Sequence, residues 1–222
     1  MTTLTGPRKG AASGNADSLV IFLHGYGADG NDLIGIADSI ADHLPNTVFL
    51  APNAPQRCTN NPMGYQWSPL PRLDGSSEEV ARQGQVEAAA LLNSWLDETH
   101  ATEGIGPERT IIVGFSQGTM MALLVGPRRD TPVAGIVGFS GRLMDSETLG
   151  SEMKSTMPIL LVHGDSDEVV PPSSLPEAAD ALVQVGYEVY THISPNTGHG
   201  IAPDGLGIAL QFIKMQLGLA SR

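Results

Sequence analysis

The chain has 222 residues, of which 41% are hydrophobic, and this suits one domain that spans residues 1–222. Its net charge of −12 argues against a nucleic-acid partner, because phosphate binding needs a basic face. The single cysteine allows no intrachain disulfide, no apolar leader opens the sequence, and no apolar run approaches the roughly 18 residues of a membrane helix, so we expect a cytoplasmic protein.

Short apolar runs alternate with amphipathic segments from residue 19 onward. Residues 1–18 are polar and rich in glycine and serine, which predicts an arm or an edge strand. Strands are predicted at 19–23, 47–50, 110–113, 133–139, 158–162 and 187–193. Helices are predicted at about 31–43, 77–99, 119–124, 174–185 and 203–217, with 142–156 as a polar connection. This alternation predicts a mostly parallel α/β sheet with helices on both faces, whose ligands bind beyond the C-terminal strand ends.

The first predicted helix is preceded by cap residues. Asn31 or Asp32 is the expected N-cap, because a short polar side chain can accept a hydrogen bond from the unpaired amides of the first turn.

The segment 52–77 is long for a connection in a compact domain and too apolar for a disordered linker. It carries four large apolar side chains, those of Met63, Tyr65, Trp67 and Leu70. We expect them to form a wall of the substrate site, with a packed surface loop as the alternative.

A nucleophile elbow is predicted at the end of strand 110–113. Gly-Phe-Ser-Gln-Gly at 114–118 is a G-x-S-x-G motif between a β-branched strand and a segment that can continue as a helix. Glycines allow the neighbouring strand and helix to approach the serine closely. Ser116 is therefore the candidate nucleophile, and the amide of Gln117 is a candidate oxyanion donor. An ordinary glycine-rich turn is the alternative.

A serine nucleophile needs a histidine base. Of the six histidines, His199 lies in a Gly-His-Gly loop after the last predicted strand, where an α/β-hydrolase carries its base. His24 and His163 each follow a strand and precede a glycine, so we expect them to shape turns. The others are expected in surface or core roles: His43, His100 and His192.

The base in turn needs an acid that orients it. Asp165, Asp167 and Glu168 all follow strand 158–162. Asp167 is favoured, because the Gly164-Asp165 pair is typical of a turn in which the side chain bonds local amides. Asp165 stays as the rival.

The loop 24–30 should supply a second oxyanion amide, for which Tyr26 is the best candidate. The same loop matches the dinucleotide fingerprint G-x-G-x-x-G, which makes a nucleotide-binding protein the main rival. A dinucleotide site would want an acidic residue at the end of the next strand to hold the ribose, and that strand ends in Leu-Ala-Pro-Asn at 50–53. The hypothesis of a nucleotide-binding protein also gives no role to Ser116, Asp167 and His199.

Two further classes fit less well. A catalytically inert hydrolase fold that serves as a binding module would not need a complete serine, aspartate and histidine set. Metal catalysis is disfavoured because the sequence has neither an HExxH motif nor a Cys/His cluster.

Five stretches together resemble the phospholipase/carboxylesterase family, which includes bacterial carboxylesterases and acyl-protein thioesterases. The resemblance spans about residues 19–216. The stretches are Leu-His-Gly-Tyr-Gly-Ala-Asp-Gly-Asn-Asp at 23–32, Gly-Phe-Ser-Gln-Gly at 114–118, Gly-Phe-Ser-Gly at 138–141, His-Gly-Asp-Ser-Asp-Glu-Val-Val-Pro at 163–171 and Gly-His-Gly at 198–200.

This resemblance implies an α/β-hydrolase with Ser116 as nucleophile, Asp167 as acid, His199 as base and oxyanion amides at Tyr26 and Gln117. It also implies a cytosolic enzyme, often a dimer, that needs no cofactor or metal and acts on a small-molecule ester. The stretch 63–69 resembles the family's loop beside the acyl pocket but differs from its thioesterase form, which favours a carboxylesterase of small esters. Acyl-protein thioesterase or lysophospholipase activity on the same triad is the alternative.

Overall fold

A computed structural model describes residues 3–219. The central sheet contains seven strands, which are β1 (Arg8–Lys9), β2 (Ser18–Leu23), β3 (Thr47–Leu50), β6 (Thr110–Phe115), β7 (Gly135–Phe139), β8 (Ile159–Gly164) and β9 (Val189–Ser194). Their order across the sheet is β1-β3-β2-β6-β7-β8-β9, and every neighbouring pair is parallel apart from β1 and β3. A separate antiparallel pair joins β4 (Gln56–Arg57) to β5 (Tyr65–Gln66).

Helices cover both faces of the sheet, as the alternating sequence pattern predicted. Strands β2, β3, β7 and β8 are buried along their whole length, because side chains on both faces pack against helices. The helices are α1 (Gly30–Ile40), α2 (Pro71–Asp74), α3 (Glu78–Glu103), α4 (Gln117–Val125), α5 (Ser146–Glu152), α6 (Ser174–Gln184) and α7 (Pro203–Gln216). Helices α3, α4, α5 and α6 contribute to one hydrophobic core and helices α1 and α7 to the other. The expectation of a mostly parallel α/β fold is confirmed.

The cap of the first helix was predicted wrongly. Asp29 is the N-cap, and its carboxylate accepts hydrogen bonds from the amides of Asn31 and Asp32. The Asp32 carboxylate accepts from the Asp29 amide in return. Asp32 therefore takes part in the cap from the third helical position, as the reciprocal partner of a capping box.

Two other segments are more regular than the sequence indicated. The segment 52–77 contains strands β4 and β5 and helix α2, and the connection 142–156 contains helix α5. These elements are short, so their periodicity is too brief to recognise. Within residues 1–18, Arg8–Lys9 pairs with β3 as an edge strand, which was one of the two predicted outcomes, while residues 1 and 2 lie outside the described range.

The order of the sheet places a switch point at the centre. After β2 the chain adds β3 on one side, and it later returns to add β6 on the other side. Connections that leave β2 and β6 in opposite directions open a crevice beyond their C-terminal ends, where open α/β sheets bind ligands. No helix within residues 3–219 is long and apolar enough to cross a membrane.

Candidate active site

Ser116 occupies a strained turn between β6 and α4. Its φ of 53° and ψ of −115° lie in a region that non-glycine residues rarely adopt. A Cβ at Gly114 would lie 2.4 Å from the Thr119 nitrogen, and one at Gly118 would lie 1.8 Å from the Leu23 carbonyl oxygen. Both glycines are therefore required by close backbone contact, and the turn has the geometry of a nucleophile elbow.

Asp167 is buried, and three nitrogen atoms form hydrogen bonds with its carboxylate. Oδ1 accepts hydrogen bonds from the amides of Val169 and Val170, both at 2.9 Å. Oδ2 lies 2.8 Å from Nδ1 of His199. Burial raises the pKa of Asp167, but the hydrogen bonds from His199 and the two amides outweigh it and leave the pKa below its usual value.

Asp165, the rival acid, faces solvent on the same loop. Its Oδ1 accepts hydrogen bonds from the Ser166 hydroxyl at 2.7 Å and the Thr197 amide at 3.3 Å. Its contacts are those of a turn residue, and the structure brings Asp167 rather than Asp165 against His199.

The loop after β9 carries His199 back to the end of β6. This loop passes so close to β8 that a Cβ at Gly164 would lie 2.2 Å from the Thr197 carbonyl oxygen. The His199 ring packs on Phe115, the residue before Ser116, with ring centroids 5.0 Å apart. Within the described chain no hydrogen bond joins the Ser116 hydroxyl to His199, and such bonds often form only when substrate is present.

Two backbone amides near Ser116 are free to bind an anion. Gln117 opens helix α4, where the positive end of the helix dipole lies. Tyr26 lies in the loop after β2, in which the neighbouring amides of Gly27 and Ala28 are already paired with carbonyl groups. Among the hydrogen bonds of residues 3–219, neither the Tyr26 nor the Gln117 amide has an acceptor. These are the two donors that the sequence indicated for an oxyanion.

The family model described as Phospholipase/Carboxylesterase matches residues 10–217, which is nearly the whole chain. The chain belongs to the phospholipase/carboxylesterase family. It is accordingly a hydrolase of the esterase type, with an α/β-hydrolase fold.

Similar proteins carry esterase and thioesterase names. An acyl-protein thioesterase 1 of Gibberella zeae is 30% identical over 222 residues, with 93% of each chain covered. Esterase YpfH of Escherichia coli is 25% identical and covers 90% of this chain and 83% of its own. The crystal structure of esterase PE8 is 44% identical, has a TM-score of 0.92 and covers 97% of this chain and all of its own.

In this family member Trp67 is fully buried, so the expectation that its ring faces a substrate is wrong. The indole Nε1 donates to the His24 carbonyl oxygen at 2.9 Å, and the Trp67 amide donates to the side-chain oxygen of Gln117 at 3.0 Å. A fully buried ring presents no surface to a ligand. Trp67 therefore holds neighbouring backbone in place through its hydrogen bonds and does not line the site.

The other three residues expected at the substrate wall are accessible to different degrees. Met63 is 81% exposed at the tip of the β4–β5 hairpin. Tyr65 is half-buried, with the Arg57 guanidinium 4.2 Å from its ring centroid. Leu70 is also half-buried, directly before α2. These positions remain candidates for substrate contact.

The side chain of Gln117 has a role that the sequence motif did not indicate. It is buried, its oxygen accepts from the Trp67 amide, and its Nε2 donates to the Ser68 carbonyl oxygen at 2.8 Å. The residue whose amide is a candidate oxyanion donor thus also fixes the segment 67–68. The signal available in the sequence was the polar residue in a helix that is otherwise apolar.

His24 is a second structural residue that the motif analysis had expected only to shape a turn. Its Nδ1 lies 2.8 Å from the Gly25 carbonyl oxygen, and its Nε2 lies 2.9 Å from the Ala54 amide. A neutral ring with the proton on Nδ1 satisfies both partners. Burial lowers the pKa of His24 below its usual value, which favours that neutral form.

The loop after β2 is held in place by the β4–β5 hairpin. The Gly27 amide donates to the Tyr65 carbonyl oxygen and the Tyr65 amide to the Ala28 carbonyl oxygen, both at 2.8 Å. A Cβ at Gly64 would lie 2.0 Å from the Gly27 carbonyl oxygen, and one at Gly30 would lie 2.0 Å from the Ala51 carbonyl oxygen. Close backbone packing accounts for these glycines, so the dinucleotide fingerprint needs no nucleotide to explain it.

Open volume lies beyond the C-terminal end of β7, and the residues that line it do not include Ser116, Asp167 or His199. A mainly polar cavity of about 440 Å³ is bounded by residues 142–147, α3 and α6. Gly141, at the start of this wall, is packed so closely that a Cβ there would lie 3.1 Å from the Ser116 carbonyl oxygen. Gln85 and Asp145, which are joined by a hydrogen bond of 3.1 Å, line both this cavity and a second one of about 300 Å³. In the described residues, no group of three or more His, Cys, Asp or Glu side chains could hold a metal ion.

Proposed function

We propose that this enzyme hydrolyses carboxylic esters through an acyl-serine at Ser116, with His199 as the base and Asp167 as the acid. The observation that carries the proposal is the 2.8 Å contact between a buried Asp167 and His199 at the strand ends beside the strained Ser116 turn. A buried carboxylate that faces Nδ1 fixes the tautomer of the ring, and Nε2 is left to accept the serine proton.

In the first half-reaction the Ser116 oxygen attacks the acyl carbon while His199 takes the hydroxyl proton. The carbonyl electron pair moves onto oxygen, where the amides of Tyr26 and Gln117 receive the negative charge. Each such donor contributes roughly 3 kcal/mol in the transition state. The tetrahedral intermediate then collapses, the acyl–oxygen bond to the alcohol breaks, and His199 returns the proton to the leaving alcohol.

In the second half-reaction water takes the place of the alcohol. The water oxygen attacks the acyl-serine while His199 removes a proton from the water, and the same two amides hold the second oxyanion. Collapse releases the acid and restores the Ser116 hydroxyl with the proton from His199.

A thioester is the second candidate substrate, because a relative of 30% identity is named an acyl-protein thioesterase. The same steps apply with a thiol as the leaving group, and a lysophospholipid would enter by the same chemistry.

We also propose that the enzyme works on small molecules in the cytoplasm, as a homodimer and without a nucleic-acid partner. The unpaired Cys58 is consistent with a reducing compartment. The edge strand β9 exposes Ile193 and part of Tyr190, which could pair with a second copy. Sedimentation equilibrium at micromolar concentration tests the dimer, and a monomer would contradict it.

Replacing the nucleophile tests the central proposal. Ser116→Ala should lower kcat for p-nitrophenyl acetate by on the order of a million-fold while the fold persists. A fluorophosphonate should label the unaltered enzyme at Ser116 and fail to label the variant. Wild-type hydrolysis by Ser116→Ala would refute the proposal. A series of p-nitrophenyl esters of increasing acyl length, run beside an acyl-CoA and a lysophospholipid, then separates the substrate classes.

A further inference from the structure

His163 lies at the end of β8, next to the proposed acid but outside the proposed triad. Its side chain is buried and 2% exposed, and the sequence indicated only that it shapes a turn. Its Nε2 lies 2.9 Å from the Val170 carbonyl oxygen and 3.4 Å from Oδ2 of Asp167. Both neighbours are acceptors, so Nε2 carries a proton in the neutral ring.

Val170 connects the two side chains through its backbone. Its carbonyl oxygen accepts from His163, and its amide donates to Oδ1 of Asp167 at 2.9 Å. Pro171 follows, and steric contact with its ring disfavours the helical conformation for Val170. The turn 167–170 is therefore held to the end of β8 through His163.

Three hydrogen bonds reach the carboxylate of Asp167, and the ring of His163 lies 3.4 Å from it. A carboxylate offers about four acceptor sites. Three are met by the amides of Val169 and Val170 and by Nδ1 of His199. The N–H edge of His163 lies nearest the fourth, on the same oxygen that faces His199.

We propose that His163 is a positioning residue for the esterase reaction: its Nε2–H holds the turn 167–170 and sets the rotation of the Asp167 carboxylate so that Oδ2 faces His199. This inference rests on the proposed triad. Without His163 the turn loses its anchor, Oδ2 moves away from Nδ1, and the imidazolium that forms on His199 loses part of its support.

His163→Leu should lower kcat by about 10-fold to 100-fold, the effect of a displacement of roughly 1 Å in a catalytic group. KM should change by less than about twofold, because His163 does not touch the substrate. The acidic limb of the kcat/KM profile should move to lower pH, because a less supported imidazolium loses its proton more readily. His163→Gln should restore most of kcat and the position of the limb, because its amide can donate to the Val170 carbonyl oxygen.

The measurements are pH profiles of p-nitrophenyl acetate hydrolysis from pH 5 to 9 and thermal unfolding of each variant. Asp165 and the His192–Asp204 pair, which border the 195–200 loop, are retained in the His163 variants. His192→Leu serves as the control, because it removes a half-buried histidine that contacts a different carboxylate, that of Asp204. It should leave the limb in place.

Three results would overturn the inference: unchanged kcat in His163→Leu, an equal loss at every pH with the limb unmoved, or a folded His163→Gln that is as impaired as His163→Leu. If His163→Leu does not fold, His163→Asn takes its place, because its shorter amide cannot reach the Val170 carbonyl oxygen. If that variant does not fold either, His163→Gln alone tests the inference, and a loss of more than tenfold in its kcat refutes the inference. Fluorophosphonate labelling distinguishes a failure of this inference from a failure of the proposed function. If Ser116 is labelled and His163→Leu keeps its full activity, this inference is refuted and the proposed function stands.

Discussion

Asp165 and Asp167 are two residues apart in the chain, but they differ in burial and in hydrogen bonding. Asp165 bonds its local turn and faces solvent, whereas Asp167 is enclosed with His199 and two amides. The hydrogen bonds that lower its pKa keep Asp167 ionised at neutral pH, although burial alone would favour the neutral acid. An ionised acid is what an imidazolium on His199 requires.

Exchanging each aspartate for asparagine separates the two. Asp167→Asn should lower kcat by about 10⁴-fold, because an amide at this position favours the wrong histidine tautomer. Asp165→Asn should stay within about threefold of the unaltered enzyme. Steady-state hydrolysis of p-nitrophenyl acetate measures both. A larger loss in Asp165→Asn would reverse the assignment of the acid.

The elbow and the segment 52–77 act as one structural unit. Gln117 ties the start of α4 to residues 67–68, and the indole of Trp67 ties the same segment to the end of β2. The β4–β5 hairpin in turn pairs with the loop that carries Tyr26. The amides proposed for the oxyanion are thus fixed by the segment that the sequence indicated only as a substrate wall.

Removing the Gln117 hydrogen bonds tests this coupling between elements. Gln117→Met keeps the length of the side chain and leaves the Trp67 amide and the Ser68 carbonyl group unpaired, which should cost about 2–4 kcal/mol of stability. We expect kcat/KM to fall about tenfold as the segment 67–68 shifts. Gln83→Met is the control, because Gln83 bonds only Glu87 on the exposed side of α3. Equal stability and activity in the two variants would show that the coupling is absent.

For the whole molecule, buried histidines link stability to pH. Burial lowers the pKa of His24, and burial together with the charge of Arg129 lowers that of His100. In both cases the unfolded chain binds the proton at a higher pH than the native protein does. Stability is therefore fully present above the ordinary value of 6.5 and is lost as the pH falls below it.

We expect the free energy of unfolding to fall between pH 7 and pH 5, with a slope of at most about 1.4 kcal/mol per pH unit for each histidine. Most carboxylates stay ionised over this interval, so the histidines dominate. Urea unfolding at pH 8, 7, 6 and 5 measures the change. We propose that residues 1–222 form one domain, which predicts a single transition in these curves. A flat profile would contradict the role of the histidines, and two transitions would contradict one domain.

The sequence by itself determined the alternation of strands and helices, the G-x-S-x-G turn and the order of serine, acid and histidine. These features depend on local sequence patterns. Hydrophobic periodicity, runs of β-branched residues and the positions of glycines can each be recognised within a few residues. Only the tertiary structure showed that Asp167 rather than Asp165 contacts His199, that Trp67 is buried, and that Gln117 and His163 make supporting contacts. Those outcomes depend on contacts between segments up to 50 residues apart in the chain. The packing of the whole sheet sets such contacts, so no local pattern carries them.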